Sequence, residues 1–145
     1  MTNKDFSTTI LVDQSPATVF EAVKNVRGWW SKNAEGNFDK VNDVFVHTYK
    51  DAHRCTIKVT EVVPDQKIVW HVLDNYFSFT QDETEWKDTK IVFDIAKKGE
   101  KTELRFTHRG LTSAYECYDA CSTAWTNLIQ ETLPRLIASG NGKTK

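Results

Sequence analysis

From Ser113 onward the sequence commits to a long helix, and that helix restricts the fold more than any other segment. Ser113 and Glu116 form the Ser-x-x-Glu pattern in which two side chains satisfy orphan backbone donors at a helix start. Behind it Tyr118, Cys121, Trp125, Leu128, Ile129 and Leu136 fall on one stripe, with Glu116, Thr123, Asn127 and Gln130 opposite. Pro134 removes a backbone donor and crowds the carbonyl of Gln130, so a kink is expected there. A helix with one apolar face needs a partner layer, and the rest of the chain must supply it.

That layer reads as a sheet. Phe6 to Val12 is a strand with Phe6, Thr8, Ile10 and Val12 on one face by period two. Ser15-Pro16 then offers an N-cap and a first-turn proline, Val19, Phe20 and Val23 follow at helical spacing, and Gly28 is read as the stop. Trp29 and Trp30 occupy a short segment after it. Strands are expected over Val44–Tyr49, Arg54–Val63, Lys67–Leu73, Trp86–Lys97 and Thr102–His108, with Lys98-Gly99-Glu100 as a hairpin turn; Asp74 to Asp82 is ambiguous. Strand, short helices, antiparallel strands and a long helix make an α+β fold in which the final helix covers one face of a curved sheet.

Size and charge narrow the function. A chain of 145 residues points to one domain, expected over 1–139, with 140–145 a flexible tail. The 19 Lys+Arg nearly cancel the 20 Asp+Glu, which gives no electrostatic footprint for nucleic acid. No apolar run reaches the length of a membrane span, and Met1-Thr2-Asn3-Lys4-Asp5 has no signal-peptide character. Cys55, Cys117 and Cys121 are an odd number and a poor disulfide framework, so reduced thiols and a cytoplasmic location are expected. The unusual quantity is the aromatic share of 12%, which a core can absorb, though large rings also line cavities for apolar ligands.

Several strings, in order, resemble the START-like, helix-grip (SRPBCC) superfamily, and within it the homologues of the activator of the heat-shock-protein-90 ATPase. They are Ile10-Leu11-Val12, Ser15-Pro16-x-x-Val19-Phe20, Gly28-Trp29-Trp30, Val62-Val63-Pro64 before Ile68-Val69-Trp70, Thr89-x-Ile91-Val92-Phe93, and Thr102-x-Leu104-x-Phe106-x-His108-x-Gly110. The match covers nearly the whole chain. One departure is Ala124-Trp125, where many relatives carry Gly-Trp. The resemblance implies a sheet wrapped around the C-terminal helix, with an elongated cavity between them that mostly holds apolar small molecules. In some members it implies cyclisation or dehydration chemistry.

On that expectation the ligand-contacting residues are Trp29, Trp30, Trp70, His71, Phe93, Phe106, His108, Tyr118, Cys121 and Trp125. Of the adjacent indoles Trp29 and Trp30, one is expected in the core and the other at the cavity mouth, facing Trp125. His71 and His108 are the candidate acid–base groups, since a histidine in an apolar cavity is neutral near pH 7 and able to accept a proton. The alternative for each is a core histidine held by a hydrogen bond. The four histidines show no i,i+2 pair on a strand, and Cys117 and Cys121 gain no third ligand, so neither a metal nor a cofactor is expected. No nucleophile elbow or phosphate-cradling glycine array is present.

Three functions follow, the first preferred: a module binding an apolar or aromatic small molecule, a cyclase-, dehydratase- or hydrolase-like enzyme using a cavity histidine, and a co-chaperone-like interaction module. Trp86 and the rings of Tyr76, Phe77 and Phe79 are expected near a loop as a mobile rim, and the third function would dock a protein partner on the latter three; a homodimer is the other expected assembly.

Overall fold

Seven strands, each antiparallel to its neighbours, form one sheet that runs from Phe6–Val12 at one edge through Lys101–Arg109, Lys90–Lys98, Lys67–Phe77, His53–Val63 and Val44–Tyr49 to Glu35–Gly36 at the other. The computed structural model describes residues 5–32, 34–49, 53–78, 86–112 and 118–139. Its elements are β1 (Phe6–Val12), α1 (Pro16–Lys24), α2 (Val26–Trp29), β2 (Glu35–Gly36), β3 (Val44–Tyr49), β4 (His53–Val63), β5 (Lys67–Phe77), β6 (Lys90–Lys98), β7 (Lys101–Arg109), α3 (Tyr118–Asn127), a π turn (Leu128–Thr132) and α4 (Leu133–Ser139). This is the α+β arrangement expected from the sequence, with two short helices after the first strand and the long helix over one face of the sheet.

Local chemistry accounts for most boundaries. Ser15 Oγ accepts from the Thr18 backbone N–H at 3.2 Å, and Pro16 opens α1. Gly28 does not stop that helix. The break falls at Asn25, and Gly28 lies inside α2, where a Cβ would approach Asn25 Nδ2 to 2.6 Å and Leu136 Cδ2 to 3.0 Å. Its lack of a side chain lets α2 pack closely against α4. Gly99, at φ +63°, makes the tight connection between β6 and β7.

One irregularity in the β4–β5 pairing matters for the site. Thr56 pairs with Asp74 but Ile57 with Val72, so Leu73 is an extra residue in β5. Before it Ile68, Trp70 and Val72 are buried; after it Asn75 and Phe77 are buried instead. Strict alternation would have sent Phe77 outward. The strand also runs on to Phe77, resolving the first part of the stretch ambiguous in sequence. Trp86 is not in a strand as expected: it lies in a turn, and β6 begins at Lys90.

The last helix buries Cys121, Trp125, Ile129, Leu133 and Ile137, an unbroken i,i+4 series. In a pure α-helix each i,i+4 step drifts by about 40° around the axis. The wider π turn in the middle rotates the stripe back toward the sheet. There the Leu133 N–H reaches the Leu128 carbonyl, five residues back, and Pro134 sits in the first turn of α4. The strain foreseen at Pro134 is therefore absorbed by the π turn just ahead of it. Ser113, Glu116 and Cys117 lie outside the described residues, as does the tail from 140.

Candidate functional site

The parts of the last helix are anchored unequally. Gln130 Nε2 donates to Thr8 Oγ1 at 2.7 Å and to the Thr9 carbonyl at 3.0 Å, tying the π turn to β1, while α4 packs on α1 and α2. Helix α3 stands over the end of the sheet where β3 finishes, β4 starts and β5 finishes. Between them lies a cavity of about 590 Å³. Its sheet side is Trp30, His47, Tyr49, His53, Phe77 and Trp86; its helix side is Ala120, Cys121, Ala124, Trp125, Asn127 and Leu128. Tyr49, Ala120, Ala124 and Asn127 are exposed as well, so they form its rim.

The lining rings close a circuit. Centroid separations are 4.4 Å for Trp30–His47, 5.1 Å for His47–His53, 4.8 Å for His53–Trp86, 5.7 Å for Trp86–Trp125 and 5.0 Å for Trp125–Trp30. Pairing explains the histidines: His47 lies opposite Cys55 and His53 opposite Tyr49, which makes His47 and His53 diagonal neighbours on the inner face. A second layer of rings supports the first. Trp70 stacks beneath Trp30 at 5.8 Å, Phe106 meets Trp125 at 4.7 Å, and Phe93 touches Trp70 at 4.8 Å and Phe106 at 5.4 Å.

One hydrogen-bonded chain joins the indole of Trp125 to the backbone of Trp86. Trp125 Nε1 can only donate, so His108 Nδ1 accepts it, at 3.1 Å. The proton of the neutral ring is then on Nε2, which donates to Thr89 Oγ1 at 2.8 Å; that hydroxyl donates to the Trp86 carbonyl at 2.6 Å. His108 is fully buried with both nitrogens engaged. Burial lowers it from the ordinary 6.5 to about 3. Both ring nitrogens are thus taken up within the protein, the arrangement of a core histidine held by hydrogen bonds.

His71 departs further from the expectation. It faces the opposite side of the sheet from Trp70, is partly exposed, and meets Asp88 Oδ1 at 3.2 Å. The alternation around Trp70 admits only one of the two faces to the cavity, and His71 is on the other. The histidines that do line the cavity are the pair passed over in sequence. Burial lowers His47 to about 4; burial, then the fields of His47 and His108, lower His53 to about 3. The signal for both was present, since His47 shares its face with Phe45, and His53 shares its face with Cys55 and Ile57.

Of the other expected contacts, Trp30, Cys121 and Trp125 line the cavity. Trp70, Phe93 and Phe106 form the layer behind it. Trp29 is buried, its Nε1 donating to the Val23 carbonyl at 3.1 Å, and Tyr118 is half-buried against the core without reaching the cavity. Of the expected docking rings Phe77 is buried, Tyr76 is exposed, and Phe79 lies outside the described residues. Trp86, expected at a mobile rim, is buried in the cavity wall. Burial pushes the Cys55 thiol well up, so it is no nucleophile. Among the described residues no three His, Cys, Asp or Glu side chains cluster as a metal site, and no helix is long and apolar enough to cross a membrane.

Solved structures with this fold are numerous. The Aha1 dimer from Colwellia psychrerythraea, determined in solution, superposes with a TM-score of 0.76 at 19% identity, covering 94% of this chain and 98% of that one. A Bacillus halodurans protein gives 0.71 at 15% identity, covering 94% and 99%, and a Rhizobium loti protein 0.70 at 21%, covering 92% and 96%. At these identities the likeness is one of fold. A comparison with curated proteins finds no match. The family model described as Activator of Hsp90 ATPase homolog 1-like protein matches residues 13–138, and the chain belongs to that family.

Proposed function

We propose that this protein is a binding module that holds an apolar or aromatic small molecule in the cavity beneath α3. Family membership is consistent with a ligand-binding domain. The observation that carries the reading is a cavity of about 590 Å³ lined mainly by aromatic and imidazole rings, within the size range of small-molecule sites. Large rings kept around a void forgo packing energy that a filled core would gain, and a ligand would restore those contacts.

Filling the cavity from the helix side is the most direct test, because Ala124 lines it from an exposed position. Ala124→Trp is expected to keep the fold while abolishing binding of aromatic probes, read by native mass spectrometry and calorimetry. A folded Ala124→Trp protein that binds as tightly as the parent would remove the cavity from consideration. The enzyme reading loses support from the positions of His71 and His108. Self-association is a second proposal, taken from the dimeric state named for the Colwellia relative; sedimentation velocity would show either one copy of 16.7 kDa or twice that mass.

A further inference from the structure

We propose that the cavity selects a neutral aromatic molecule bearing a hydroxyl group, and that His47 and His53 recognise that hydroxyl. The inference rests on the cavity being a ligand site and names the class of ligand it takes.

Charge, ring content and unmet polar atoms carry it together. Among the described residues lining the cavity none is Lys, Arg, Asp or Glu, and both imidazoles are neutral at pH 7. A carboxylate or ammonium group entering the cavity would shed water and meet no counter-charge from the described residues. Trp30, Trp86 and Trp125 offer the faces and edges against which a flat ring packs best.

The wall formed by His47, His53 and Trp86 is also incompletely satisfied. His47 Nδ1, His53 Nε2 and Trp86 Nε1 are buried and have no hydrogen-bond partner among the described residues. Such atoms are usually paired in protein interiors, and here three sit on rings in successive contact at 5.1 and 4.8 Å. His108 is the contrast, locked by Trp125 and Thr89. A half-turn of either free imidazole about Cβ–Cγ carries its nitrogen to the opposite edge of the ring. A hydroxyl both donates and accepts, so it suits either tautomer of either histidine.

Calorimetry on the full chain near neutral pH, with naphthalene, 2-naphthol and 2-naphthoate, tests this. The expected result is 2-naphthol binding about tenfold more tightly than either of the others. Water solvates the hydroxyl, so transfer alone would favour naphthalene and a naphthol preference requires a partner in the cavity. The His47→Phe, His53→Phe double variant keeps two rings and should bring naphthol down to the affinity of naphthalene; the single His53→Phe variant should give part of that loss if the double variant does not fold. Naphthalene or naphthoate binding as well as naphthol to the parent protein would overturn the hydroxyl assignment and leave the cavity reading standing. An intact preference in a folded variant would overturn the roles of His47 and His53. Failure of all three compounds to bind would overturn both readings.

Discussion

Trp125 is the residue on which cavity and core meet. Its ring touches Trp30, Trp86 and Phe106, and its N–H holds His108 in one tautomer. Trp125→Phe keeps much of the ring but strips the donor, leaving His108 Nδ1 buried and unpaired. A loss of about 1–3 kcal/mol is expected in urea unfolding; a variant as stable as the parent would show that the hydrogen bond contributes nothing. At this scale the sequence was partly legible. The period-two run Leu104, Phe106, His108 placed His108 inward, and the helical stripe did the same for Trp125. What spacing could not reveal is that these two side chains are each other's partner, because the contact joins separate elements. Trp29 and Trp30 divided as their adjacency requires, one into the core and one to the cavity.

Among the elements, β5 decides the shape of the site. The extra residue Leu73 switches the inward set from Ile68, Trp70 and Val72 to Asn75 and Phe77, and Phe77 completes a wall with His53 and Trp86. Inserting one residue between Asp74 and Asn75 should reverse the alternation beyond the bulge and turn Phe77 to solvent. A cost of about 3–5 kcal/mol is expected, comparable to emptying a buried aromatic position, with loss of aromatic-probe binding in any folded fraction. Unchanged stability would mean that the pairing re-forms its bulge elsewhere. Strand and helix identities followed from periodicity because most segments bury a single face. The bulge, and the turn that folds Trp86 into the wall, have no periodic signature. That is why Phe77 and Trp86 read as surface rings; the cavity histidines, sought on β5 and β7, were legible in the alternation of the β3–β4 hairpin.

The whole molecule keeps three imidazoles neutral inside one sheet, and its stability should show this as a function of pH. His47, His53 and His108 bind protons only near 4, 3 and 3, whereas the unfolded chain takes them up near 6.5. Above 6.5 both states are neutral and these groups give no slope. As pH falls below 6.5 the unfolded state gains protons that the fold refuses, so stability falls until the folded values are reached. Each histidine contributes about 1.4 kcal/mol per pH unit in that window, about 4 kcal/mol per unit for three. Urea unfolding at pH 7, 6 and 5 measures the slope, and a flat profile would contradict the burial of these rings. The central claim, that an aromatic ligand occupies the space between α3 and the sheet, is tested most directly by the tryptophan indole N–H signals in a ¹H–¹⁵N titration with 2-naphthol. The signals of Trp30, Trp86 and Trp125 should move together to saturation, while that of Trp29, whose N–H is given to the Val23 carbonyl, stays in place. A saturating titration that leaves the three cavity indoles unmoved would contradict the account.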